Sequence, residues 1–93
     1  MAIKVAFIGA GSLGFTRKLM QDILTVPELQ DTLFAFHDIN ERNLEMVTQL
    51  ARRDIEANGL PATIEPSLDR RESMEGADYV INAKEEDPVD KIM

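Results

Sequence analysis

The stretch VAFIGAGSLGFT, residues 5–16, sets three glycines, Gly9, Gly11 and Gly14, between an apolar run and a segment with helical spacing. Glycine inside a regular element costs about 0.5–1 kcal/mol relative to alanine, so three of them so close together require a compensating role. The spacing is G-x-G-x-x-G. In that pattern the first glycine permits a tight turn, the second lets backbone approach a diphosphate, and the third lets a helix pack closely on a sheet. The helix that follows aims its unpaired N–H groups and the positive end of its dipole at the phosphates.

The flanking sequence predicts a parallel α/β unit. Residues 3–8 (IKVAFI) are apolar on both alternating faces, as in a strand covered on two sides. Over residues 12–25, Leu13, Leu19, Met20, Ile23 and Leu24 form one helical stripe, and Pro27 turns Val26 away from helical angles. Residues 33–36 (LFAF) give a second buried strand closing at His37 and Asp38. Behind Asn40, a good N-cap, a second helix is predicted to bury Leu44, Val47, Leu50, Ala51 and Ile55, with Gly59 as its left-handed stop and Pro61 beyond. Residues 62–66 (ATIEP) are polar and carry a proline, which marks an edge strand. Asp69 and Glu72 resemble a capping box for a short third helix ending at Gly76, and residues 79–81 (YVI) form a fourth strand. This alternation with right-handed crossovers predicts a four-stranded parallel sheet of order 3-2-1-4 with helices on both faces, a Rossmann-like half.

The 93 residues fit one domain, with the dinucleotide-binding unit at 1–82 and an acidic tail at 83–93 in which Asp87 and Pro88 have the order that opens a short helix. Hydrophobic residues at 44% and charged residues at 29% indicate a folded core. A net charge of −7, with Arg52/Arg53 and Arg70/Arg71 as separate pairs, argues against nucleic acid as a partner. No cysteine is present, so disulfides and thiolate metal ligands are excluded. The apolar run from Val5 to Ile8 is too short for a signal peptide or a membrane span, and a cytoplasmic location is expected.

The candidate cofactor residues are Gly9, Ala10, Gly11, Ser12, Leu13 and Gly14 in the loop, Asp38 after the second strand, and Asn82 after the fourth. Asp38 stands 24 positions after Gly14, near the ~20 typical of a carboxylate that accepts from ribose hydroxyls. It would repel a 2′-phosphate, so NAD or another adenosine nucleotide is expected over NADP, with Arg42 as the contrary signal. An S-adenosylmethionine fold also places glycines and an acid here, with a different loop. His37 reads as structural, Met20, Met46 and Met74 as core, and Arg70/Arg71 and Glu85/Glu86/Asp87 as solvated faces. No catalytic or metal-binding residue is assigned. An apolar fourth strand at a sheet edge invites self-association.

Beyond the loop, the stretches KVAFIGAGSLGFTRKLMQDIL, VPELQDTLFAFHDIN, LEMVTQLARR, NGLPATIE and DRRESMEGADYVIN resemble the N-terminal region of family 4 glycoside hydrolases, in the alpha-galactosidase and alpha-glucosidase branch. The resemblance spans residues 3–82 and implies NAD and manganese as cofactors. It implies oxidation of the sugar C3 hydroxyl by NAD, loss of the C2 proton, elimination of the glycosidic bond, addition of water and return of the hydride. Gly9, Gly11, Gly14 and Asp38 would carry the cofactor, with Asn82 towards the nicotinamide. After Asn82 the family continues with an apolar, glycine-containing loop, where this chain has AKEEDPVDKIM. The family's metal-binding cysteine and histidine and its catalytic tyrosine belong to a later region, so a truncated or engineered half that binds nucleotide without turnover is expected. Two other readings are an engineered folding or assembly protein with no working site, and the first half of a malate- or lactate-type dehydrogenase.

Overall fold

A computed structural model describes residues 2–82. The chain runs β1 (Lys4–Ile8), α1 (Leu13–Leu24), a 3-10 turn (Pro27–Leu29), β2 (Leu33–His37), α2 (Glu41–Ala57), β3 (Thr63–Ser67), α3 (Arg70–Met74) and β4 (Tyr79–Asn82). The four strands are parallel in the order β3-β2-β1-β4, as the alternation predicts. The expected acidic tail and its Asp87–Pro88 helix start lie outside the described residues.

Register explains the core. Val5 lies opposite Phe34 and Phe7 opposite Phe36, so the large side chains of β1 and β2 share one face, while Ala6 opposite Ala35 gives the other face small ones. Phe7, Phe34 and Phe36 are fully buried, with Phe7 and Phe36 meeting edge-on at 5.6 Å and 74°. Met20 and Leu24 of α1 and Leu44, Val47, Ala51 and Ile55 of α2 close over them. Each fully buried side chain of this size contributes about 1.5–3 kcal/mol through loss of apolar surface to water. Met20 is core, as expected, but Met46 and Met74 are exposed, at 49% and 36%. The stripe of α2 is completed instead by Thr48, whose methyl-bearing side chain falls on the inward side of the helix, and Leu50 is only partly buried.

The punctuation works by the expected chemistry, with two additions. Val26 is extended (φ −88°, ψ 115°), and Pro27 then opens the 3-10 turn, in which Leu29 N–H donates to the Val26 carbonyl at 2.9 Å. The Asn40 side chain accepts from Asn43 N–H at 3.0 Å, and Gly59 takes φ +62° after α2. At α3 the Asp69 carboxylate accepts from Arg71 and Glu72 N–H at 2.9 and 3.4 Å. Glu72 does not reach back directly. Ser67 Oγ donates to Glu72 Oε1 at 2.6 Å and accepts from Asp69 N–H at 3.0 Å, so a hydroxyl relays the capping box and fixes where α3 begins.

The two sheet edges differ. Thr63 N–H donates to Thr32, so alternation turns the peptide groups of Ile64 and Pro66 outward. Arg52 of α2 donates to the Ile64 carbonyl at 3.0 Å, and Pro66 has no N–H to offer. At the other edge Asp78 N–H donates to Lys4, so Tyr79 and Ile81 turn theirs outward. Tyr79 and Val80 are 63% and 49% exposed.

Candidate functional site

Gly9 leaves β1 with φ +82°, a conformation that costs an L-residue about 1–2 kcal/mol and glycine nothing. This turn brings the Gly9 and Ala10 N–H groups onto one acceptor, the His37 carbonyl, at 2.8 and 2.7 Å. Ala10 is fully buried, and its own carbonyl accepts from Thr16 Oγ1 at 2.9 Å, which ties the loop to the first turn of α1. Hooked to the end of β2 in this way, the loop meets the next residue, Asp38. Gly11 N–H donates to Asp38 Oδ2 at 2.8 Å, and Asn40 N–H donates to Oδ1 at 2.8 Å.

Gly11 therefore has a reason internal to the protein. A Cβ there would fall 2.5 Å from Asp38 Oδ2 and 2.8 Å from Asn43 Cβ. The second glycine of the motif makes room for the carboxylate and for the start of α2, in addition to whatever approaches from outside. Gly14 departs from expectation. A Cβ at Gly14 meets nothing within 4 Å, so close packing of α1 on the sheet does not require it.

Ser12 N–H donates to the Gly9 carbonyl at 3.2 Å, and its side chain does not cap α1. Leu13, the first helical residue, packs partly against the core. The first turn of α1, starting at Leu13 and Gly14, has N–H groups without intrahelical partners and a positive dipole end. Arg17 and Asp54 hold α1 to α2 through two hydrogen bonds of 2.9 Å, and the carboxylate raises the guanidinium pKa further above its ordinary value.

At the carboxyl ends of β1, β2 and β4 lies a cleft of about 290 Å³ lined by Ile8, Gly9, His37, Asp38, Ile39, Arg70 and Asn82. Ligands of open α/β sheets bind at this edge. Of the residues expected at a site, Gly9, Asp38 and Asn82 line the cleft and Ala10, Gly11, Ser12, Leu13 and Gly14 do not, while Ile8, His37, Ile39 and Arg70 line it without having been assigned there. Arg42, weighed as the contrary cation, does not line the cleft, whereas Arg70, read as a solvated residue, does. The missed signal is positional: Arg70 opens the helix that follows β3, so it emerges at the same edge as Asp38. His37 is buried, with Nδ1 3.1 Å from the Ser67 carbonyl, which ties β2 to the end of β3. A larger depression of about 960 Å³ flanks α3, but its lining comes only from residues of that helix and its caps, which makes it a trough beside one element.

Each Asp38 oxygen accepts one N–H and retains a second lone-pair site, so the carboxylate can still accept from a pair of ribose hydroxyls. The cleft is at the lower limit of the ~300–1,000 Å³ typical of ligand sites. Among the described residues, no group of three or more His, Cys, Asp or Glu could hold a metal ion. No helix among them is long and apolar enough to cross a membrane.

Comparison with known structures returns a malate dehydrogenase from Cryptosporidium parvum, with a TM-score of 0.63 and 26% identity over 89% of this chain and 24% of that one. The likeness is that of a shared Rossmann-like fold. Among curated proteins the chain is 51% identical over 81 residues to an alpha-galactosidase of Rhizobium meliloti (strain 1021), 32% identical to an alpha-glucosidase of Erwinia rhapontici and 35% identical to an alpha-galactosidase of Bacillus subtilis (strain 168). These alignments cover 86–87% of this chain and 16–18% of the relatives. The model of the family 4 glycosyl hydrolases matches residues 4–86. The dehydrogenase reading thus survives as a likeness of fold, and the chain belongs to glycosyl hydrolase family 4.

Proposed function

We propose that this chain binds the adenosine half of NAD and serves as the cofactor-holding unit of an enzyme acting on alpha-glycosides. The observation that carries the reading is the Asp38 carboxylate at the end of β2, bonded to Gly11 N–H in the glycine loop at 2.8 Å and facing the cleft. Ribose hydroxyls would donate to its remaining lone pairs, and the diphosphate would lie over the loop before the first turn of α1, covering residues 9–14. Asn82, across the cleft from Asp38, would meet the portion of the cofactor beyond the diphosphate. NAD, when bound, supplies a reversible hydride acceptor. The alpha-glycoside substrate class is supported by the names of the relatives, alpha-galactosidases and an alpha-glucosidase.

Calorimetric titration with NAD and with ADP tests the reading, alongside amide chemical shifts. Saturable heat for both ligands is expected, with shifts concentrated at residues 9–14 and 38–39. No heat and no shift at millimolar ligand refutes it. Among the described residues no strand lies beyond β4, which supports a second proposal, that two copies pair through their Tyr79 and Ile81 peptide groups.

A further inference from the structure

Of the asparagines in the chain, Asn40, Asn43, Asn58 and Asn82, only Asn58 precedes a glycine, in the pair Asn58–Gly59 that closes α2. Both residues of the pair are exposed. In such a pair the glycine nitrogen can attack the asparagine side-chain amide, because no Cβ on the following residue crowds the approach. A C–N bond forms between Gly59 N and Asn58 Cγ, the Cγ–Nδ2 bond breaks, and the displaced nitrogen takes up the Gly59 N–H proton and departs as ammonia. Water then opens the cyclic imide at either carbonyl, giving aspartate or its β-linked isomer with no change of oxidation state.

The fold opposes each part of this step. Asn58 has ψ 3°, so its own nitrogen eclipses the Gly59 nitrogen about the Cα–C bond. Its Cβ therefore stands about a third of a turn away by tetrahedral geometry, whereas a flat five-membered ring needs Cβ and Gly59 N to eclipse each other. Asn58 Nδ2 donates to the Asp54 carbonyl at 2.8 Å, which holds the amide back against α2. Gly59 N–H donates to the Glu56 carbonyl at 3.1 Å, and Leu60 N–H donates to the Ile55 carbonyl at 3.1 Å. The attacking nitrogen thus keeps its proton, and Leu60, packed against the core, anchors the turn that holds it.

We propose that Asn58–Gly59 is a deamidation site whose reaction runs only through opened states of the last turn of α2. Ring closure needs Gly59 N brought to Asn58 Cγ in the right orientation, and the closed cap denies that orientation. Conversion then weakens the cap that restrained it. The product carboxylate has no hydrogen to donate to the Asp54 carbonyl, and it adds a negative charge at the negative end of the α2 dipole. Loosening falls on the turn from which Asp54 reaches Arg17 of α1.

The test incubates the full chain at mildly alkaline pH, folded and in urea, and follows amide-to-acid conversion at each asparagine by peptide mass spectrometry. Amide hydrogen exchange at Gly59 is measured on the folded sample at the same pH. Conversion in urea is expected at Asn58 ahead of every other asparagine, and at least roughly tenfold slower in the folded chain. Exchange and ring closure both begin with loss of the Gly59 N–H proton, so the folded state should suppress deamidation at least as strongly as it protects that amide. Leu60→Ala trims the anchor and leaves the reacting pair intact; with folding confirmed by circular dichroism, it should speed conversion several-fold. Asn58→Asp, which reproduces the aspartate product, should lower the thermal midpoint by a few degrees. Equal rates in the folded and unfolded chain, suppression weaker than the protection of Gly59, or an unchanged rate in folded Leu60→Ala would overturn control by the cap. No conversion in urea, or conversion of Asn40, Asn43 or Asn82 as fast as that of Asn58, would overturn the site itself.

Discussion

Replacing Gly11 by alanine isolates the contact on which the site geometry depends. The added carbon would fall 2.5 Å from Asp38 Oδ2, 2.8 Å from Asn43 Cβ and 3.1 Å from Asp38 Cγ. Swinging the carboxylate away relieves only part of this, because Asn43 Cβ is attached directly to the α2 backbone. Relief then requires α2 to move or the loop to open. Opening the loop sacrifices the charged hydrogen bond between Gly11 N–H and Asp38, worth about 1.5–3 kcal/mol. Holding it stores overpacking strain of about 1–3 kcal/mol. The cheaper route sets the loss, about 1–3 kcal/mol. At ~4–8 °C per kcal/mol for a domain of this size, the thermal unfolding midpoint followed by circular dichroism should fall by roughly 4–24 °C. Gly14→Ala is the matched control. It lies in α1 with open space around the new carbon, and alanine there should gain up to about 1 kcal/mol in helix propensity and raise the midpoint by a few degrees. A Gly11→Ala midpoint equal to that of the wild type within error, or equal losses for both variants, would refute the reasoning.

Gly9→Ala should cost about 1–2 kcal/mol through its positive φ alone, measurable by urea denaturation. Phe36→Ala removes a fully buried ring and should cost about 3–5 kcal/mol, a large share of the ~5–15 kcal/mol available to a small domain, with loss of dispersed amide resonances as the readout. A double-mutant cycle on Arg17 and Asp54 should give about 0.5–1 kcal/mol, falling as salt is added, because both side chains are partly exposed. Since the folded pKa of Arg17 is raised, its contribution is complete below the unfolded value and is lost only as pH climbs through the folded one in strong alkali, so urea midpoints for the cycle should show no Arg17 titration between pH 5 and 9. Lysine at Tyr79 or Val80 should abolish concentration-dependent sedimentation if copies pair through β4, and a wild type that sediments as a monomer at every concentration removes that proposal.

The sheet was legible because the determinants are local. LFAF between polar flanks, proline in ATIEP, proline after the first helix and glycine after the second and third are decided by residues adjacent in the chain, and strand order follows from crossover handedness. Asp38 was legible for the same reason, since the acid ending the second strand must arrive beside a loop ending the first. What escaped was set by distance. The clash that makes Gly11 necessary comes from Asp38 and Asn43, far along the chain. Arg70 enters the cleft only once β3 and α3 are placed. Met46 and Met74 were misjudged because methionine fits either side of a helical stripe, and local spacing alone did not settle which way they turned.

The guanidinium of Arg52 on the Ile64 carbonyl, together with Pro66, gives the sheet a direction of growth. Addition beside β3 would have to displace that guanidinium and meet a residue with no hydrogen to donate, whereas among the described residues no side chain or strand covers the outward peptide groups of Tyr79 and Ile81. Any strand laid parallel to β4 would terminate next to Asn82, at the cleft beside the carboxyl ends of β1 and β2. The capped flank therefore leaves β4 as the side on which an added strand would bring its own side chains up to that cleft.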